Sequence, residues 1–219
     1  MEKFLSFFTD ILIEALGQTI YMVGISTILA TLIGFILAII LVVTDEGGLQ
    51  PNKIINSILG FVVNTLRSFP FIILVVAIIP LTRAIVGKSI GETAALVPLT
   101  IGAAPFIARV IEGALKEVDK GLIEAAKSFG ASDFQIIFKV MLKEAVPSIV
   151  SGLTLTIISI IGYSAMAGTV GGGGLGYLAV SYGYQRFQKD VMIITVIILI
   201  IIVQALQMLG NYLYKKLNK

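Results

Sequence analysis

From Ala15 to Thr44 the chain carries no charged side chain, a run longer than the ~20 apolar residues that cross a bilayer core as a helix. Four more charge-poor stretches follow. Residues 54–80 are interrupted once, at Arg67; residues 90–111 form a span only around Arg109; residues 145–185 and 191–214 are free of charge. The runs are continuous, whereas barrel strands alternate apolar and polar positions. The 145–185 run exceeds one crossing, so it holds a helix, taken as 145–168, plus another element. Composition agrees: 57% of residues are hydrophobic and 13% charged, against roughly 25% charged in soluble domains. The expected fold is an all-α integral membrane protein, one transmembrane domain over 1–219. It has about five spans, at 15–44, 54–80, 90–111, 145–168 and 191–214.

The charges that remain give a direction. One side of a five-span chain holds Lys53, the cations from Arg109 to Lys143, and Lys215, Lys216 and Lys219; the other holds Lys3, Arg83, Lys88, Arg186 and Lys189. Lys and Arg concentrate on the cytoplasmic side, so the N-terminus is expected outside and the C-terminus in the cytoplasm. The net charge of +3 needs no nucleic-acid partner. Histidine and cysteine are both absent. That removes the commonest metal ligands, the usual general base and the thiol nucleophile, so neither catalytic nor metal-binding residues are expected. The first residues place Phe4, Phe8, Ile11 and Leu12 opposite Glu2, Lys3, Ser6 and Asp10, which fits either an interfacial helix or a frayed end.

The longest polar segment, 117–144, reads as a helix–Gly–helix elbow. Asp119 suits an N-cap, Leu122, Ala126 and Phe129 share a face, and Gly130 stands where a left-handed residue stops a helix. Ser132 and Gln135 then form a capping box, ahead of an apolar stripe of Phe134, Ile137, Phe138, Met141 and Leu142. From periodicity alone the segment is either a rigid handle for a partner or a loop lying on the membrane.

Gly171–Gly172–Gly173–Gly174–Leu175–Gly176 satisfies the G-x-G-x-x-G pattern. It lies inside an uncharged run, however, without the strand, helix and acidic residue of a dinucleotide site. No glycine-rich loop is followed by Lys-Ser or Lys-Thr, so a P-loop is absent and any ATP must be bound elsewhere. The glycines either permit irregular backbone at depth or allow close helix packing. Arg67 and Arg109 are costly in a span. They read as pathway residues or as side chains snorkelling to the interface, with Glu112 on the face of Arg109 favouring the second there. Met166, between Ala165 and Ala167, reads as core filling or as a flexible thioether on a pathway. Pro70, Pro80, Pro98 and Pro105 are expected to kink the second and third spans.

Glu124-Ala125-Ala126 with Gly130 resembles the EAA signature of ABC-importer permeases, although Lys143 stands where that signature usually has proline. Asn64 to Leu74, Val97 to Arg109 and Gly162 to Gly168 with Gly171 to Gly176 resemble methionine-importer permeases. The resemblance implies a type I permease-like fold and a cytoplasmic coupling elbow (Glu124, Ala125, Ala126, Gly130) docked on a separate ATPase. It further implies a homodimeric pathway and gate at Tyr163, Ser164 and Met166, to which Arg67 is added as a candidate. The partners it implies are a second copy, two ATP-binding subunits that hold ATP and Mg, an extracytoplasmic methionine-binding protein and membrane lipid. No cofactor is expected in this chain, and the place is a bacterial inner membrane. An importer of another small amino acid and an ion-coupled secondary transporter are the alternatives; no Asp or Glu at the centre of a span speaks against the latter.

Overall fold

The computed structural model describes residues 2–218, with side chains from residue 10 on. Among these every regular element is helical. The helices are α1 (Glu2–Thr44), α2 (Lys53–Ser68), α3 (Phe71–Ala77), α4 (Ile79–Val86), α5 (Glu92–Lys116), α6 (Lys120–Ser128), α7 (Asp133–Gln135), α8 (Leu142–Ala167), α9 (Gly174–Tyr177) and α10 (Lys189–Leu217). Four stretches are long and apolar enough to cross a membrane, five when the broken pair α2–α3 counts as one crossing.

That break corrects the second expected span. Pro70 lacks an N–H and disfavours α geometry in the residue before it. Phe69 and Pro70 accordingly leave the helix, and the run expected as one kinked crossing over 54–80 becomes α2, α3 and α4. The same residue type is absorbed elsewhere: α5 stays helical through Pro98 and Pro105, and α8 contains Pro147. The N-terminal segment is no separate helix, since α1 is continuous from Glu2. The Phe4 and Phe8 side chains fall outside those described, while Ile11 and Leu12 pack on a cluster of Ala15, Leu175, Leu178 and Val191.

The chain forms two compact units. One comprises Met1–Ala30, Phe69–Ala103 and Ile157–Leu206; the other comprises Thr31–Ser68, Ala104–Thr156 and Gln207–Lys219. Within the second, small residues bring helices close. A side chain at Gly34 would meet the Ala104 carbonyl and Ile107, one at Gly152 would meet Val110, and one at Gly210 would meet Thr154. This is the small-residue contact by which helices associate in lipid.

Candidate functional site

The second unit carries the elbow. The Asp119 carboxylate accepts from the Gly121 N–H at 2.7 Å, capping α6. At the other end Gly130 has φ +77°. Its N–H donates to the Lys127 carbonyl at 2.9 Å, and the Ala131 N–H reaches back to Ala126 at 3.1 Å. This pair of bonds is the Schellman stop, and it needs a residue without a Cβ at Gly130. Ser132 then begins the second arm, with its hydroxyl accepting from the Gln135 N–H and the Gln135 side chain accepting from the Ser132 N–H. Asp133 is fixed from the α1–α2 connection by Gln50 at 2.6 Å. The arm does not stop before the fourth span. A π-helical turn, Ile136–Met141, carries it into α8, so no break marks the place where Lys143 replaces the expected proline.

The elbow's apolar residues divide in two. Ile136, Ile137 and Met141 are buried, whereas Leu122 is 45%, Phe134 67% and Phe129 91% exposed. The face that carries Leu122 and Phe129 is therefore turned outward. Glu124, Ala125 and Gly130 are exposed beside it and Ala126 is half-buried. An exposed aromatic patch of this kind on a polar segment is a candidate interaction surface.

Behind the elbow lies an ionic chain. Buried Glu112 pairs with Arg109 at 2.6 Å and with Lys116 at 2.9 Å, and Lys116 reaches Asp45 at 3.1 Å. Arg109 also donates to the Gly60 carbonyl and the Asn64 side chain. Arg109 is thus held by partners on two helices rather than snorkelling freely. Arg67 belongs to the same unit; it is exposed, and its guanidinium lies 5.0 Å from the centre of the Phe106 ring.

The first unit holds the other three pathway candidates. Tyr163 stacks on Phe71, the first residue of α3, with ring centres 4.5 Å apart and an 11° interplanar angle. Ser164 is 1% exposed and donates to the Ile161 carbonyl at 2.8 Å, so it faces inward. Met166 is 46% exposed and shares an open helical face with Gly162 and Ser159. Thus Met166 lies on a free surface, Tyr163 braces the broken span, and Ser164 supports from within.

Beyond α8 the glycine run resolves the over-long fourth stretch. The chain leaves helical geometry at Val170 and Gly171, turns through Gly173 (φ +81°) and Gly174 (φ +75°), and resumes as α9. Two side chains of α1 hold it. Gln18 accepts from the Gly174 N–H at 2.7 Å, and Thr19 accepts from the Leu175 N–H at 2.8 Å. Both readings of the glycines hold, because side chains at Gly168 and Gly176 would also collide with the opposing backbone. Gln18 and Thr19 were missed; the only signal was two polar residues together inside an apolar run.

A family model described as "binding-protein-dependent transport system inner membrane component" matches residues 30–219. A probable D-methionine transport system permease protein, MetI, of Vibrio cholerae is 51% identical over 96% of this chain and 93% of its own. The methionine import system permease protein MetP of Bacillus subtilis is 46% identical over 82% of this chain and 81% of its own. Among solved structures, a chain of the MetNI methionine ABC transporter in inward-facing conformations superposes with a TM-score of 0.94. It is 43% identical, covering 95% of this chain and 97% of that one.

Proposed function

Because the chain belongs to the family of inner membrane components of binding-protein-dependent transport systems, we propose that it is the permease subunit of an ATP-driven importer of D- and L-methionine. The observation that carries this reading is the likeness to the MetNI chain, at TM-score 0.94 and 43% identity. The methionine permeases similar over most of this chain's length support the same substrate.

In this reading two copies pair in the membrane and form the pathway between them. Each elbow docks on one ATPase subunit, which binds ATP and Mg, and an extracytoplasmic methionine-binding protein delivers the cargo. Glu124, Ala125, Ala126 and Gly130 form the docking surface, because small exposed residues beside the outward Phe129 and Phe134 admit close approach. Closure of the ATPase subunits draws the elbows together and turns the pathway outward, an alternating-access step. Met166 meets its twin at the gate, Tyr163 and Ser164 position it, and Arg67 stands beside the pathway. The N-terminus is outside and the C-terminus cytoplasmic.

Coupling and gate are tested separately. Gly130→Val places a Cβ at positive φ, costing roughly 1–2 kcal/mol, and distorts the docking surface. The chain should still insert, while ATPase co-purification and methionine uptake fall at least tenfold. Full uptake with full complex yield would remove the elbow from the coupling path. Met166→Cys has no native thiol to confuse it, and should form an intersubunit disulfide under oxidant, which requires Cα atoms within about 7 Å. ATP trapping should lower its yield. A dimeric, active variant that never cross-links assigns Met166 to the lipid face.

A further inference from the structure

The inner side of the elbow, opposite its exposed aromatic patch, encloses a cavity of about 260 Å³ with the α1–α2 connection and the end of α5. Four charged side chains line it: Asp45, Lys116, Lys120 and Lys127. Asp45 is engaged by Lys116, which is also held by Glu112. Lys120 and Lys127 form no ion pair with any described residue. Three cations thus face one anion, and the anion is already paired. Lys120 and Lys127 are themselves exposed, and the rest of the lining is largely apolar, including Leu115, Ile123 and Met141. A water occupies about 30 Å³ in the liquid, so the space admits a group several times larger.

The elements at its rim narrow its occupant. The charge-free stretch of α1, Ala15–Thr44, ends immediately before Asp45, and α5 ends at Lys116. Two helices long and apolar enough to cross a membrane therefore end at the cavity's rim. Basic pockets between spans on the cytoplasmic side recognise anionic headgroups, and each Lys near such a surface adds attraction.

We propose that this cavity binds a phosphate-bearing anion, with Lys120 and Lys127 as its ligands and the apolar walls receiving the glycerol side of an anionic phospholipid. A soluble phosphate offers the same recognised group, and the test separates the two sources. The leaflet that supplies the lipid follows from the orientation proposed above, whereas binding itself does not depend on it.

The full-length chain, purified in detergent, is mixed with phosphatidylglycerol or with phosphatidylcholine of the same acyl chains, and bound lipid is read by native mass spectrometry. The expected result is at least tenfold higher occupancy by phosphatidylglycerol. Lys120→Gln with Lys127→Gln should bring that ratio within twofold, while Lys120→Arg with Lys127→Arg keeps it. Lys215→Gln with Lys216→Gln, outside the cavity lining, should also keep it. Displacement by millimolar inorganic phosphate identifies a site for phosphate itself; resistance to it identifies the lipid as the source. Equal occupancy by the two lipids overturns the proposal. So does an unchanged ratio in the glutamine pair, or an equal loss on neutralising Lys215 and Lys216. A glutamine pair that keeps its lipid yet loses the ATPase subunit makes these lysines partner contacts and overturns it as well.

Discussion

Two sharp turns in this molecule use glycine at positive φ and satisfy their backbone in opposite ways. At Gly130 the freed groups close locally: Lys127, Ala126, Ser132 and Gln135 are all within a few residues of the turn. In the turn through Gly173 and Gly174 the N–H groups of Gly174 and Leu175 find their acceptors in Gln18 and Thr19, which stand 156 residues away in sequence. The elbow is exposed, so water completes what its caps leave open. The glycine segment lies within the apolar part of the chain, where an unmet N–H costs several kcal/mol and irregular backbone survives only when protein answers it. The same backbone geometry thus relies on local caps in one region and on tertiary structure in the other.

The comparison breaks most readily at Gly174. A side chain there would approach the Thr19 hydroxyl to 2.7 Å and Met22 to 2.8 Å, at φ +75°. Gly174→Val combines left-handed strain with a clash on the very group that holds the turn, so a loss of ~3 kcal/mol or more is expected. The readout is collapse of the monodisperse fraction on size exclusion. Thr19→Val preserves shape and removes the acceptor for the Leu175 N–H together with the hydroxyl's own donation to the Ala15 carbonyl, a loss of ~1–3 kcal/mol measured as a lowered melting temperature in detergent. Ser132→Ala removes the matching acceptor in the elbow, where ~1 kcal/mol is typical of a lost cap. Water then takes the Gln135 N–H, and the shift should be the smallest of the three. If Ser132→Ala costs as much as Thr19→Val, the distinction between the two turns fails.

Most of the elbow was legible because its determinants are close in sequence. Asp119, Gly130, Ser132 and Gln135 each act within three or four residues, and Arg109 with Glu112 is an i,i+3 pair. The surplus length of the fourth run likewise announced a second element, which is the turn into α9. What stayed hidden depended on distance or on an absent partner. Pro70 was read as a kink, like Pro98 and Pro105, since sequence does not reveal which proline has neighbours able to restore the helix. Leu122 and Phe129 could be assigned to one face and no further, because periodicity cannot distinguish a core from a docking face. Ser164 and Met166, two residues apart on one helix, differ wholly in exposure, a matter of helix phase that only packing decides.

The π-helical turn at Ile136–Met141 also has a meaning as a count of residues. A π turn closes i→i+5 bonds, so it stores one residue more than the α-helix it interrupts. A relative with one residue fewer between its capping box and its fourth span would keep a continuous helix by losing that turn. Its downstream face would keep its phase, because the residue lost is the one the π turn had absorbed. A chain that kept the residue and closed the turn as α-helix would instead rotate that face by about 100°, the angle one residue subtends in an α-helix. An alignment gap at that place therefore leaves the following helix in phase, and Met166 keeps its position on the open face.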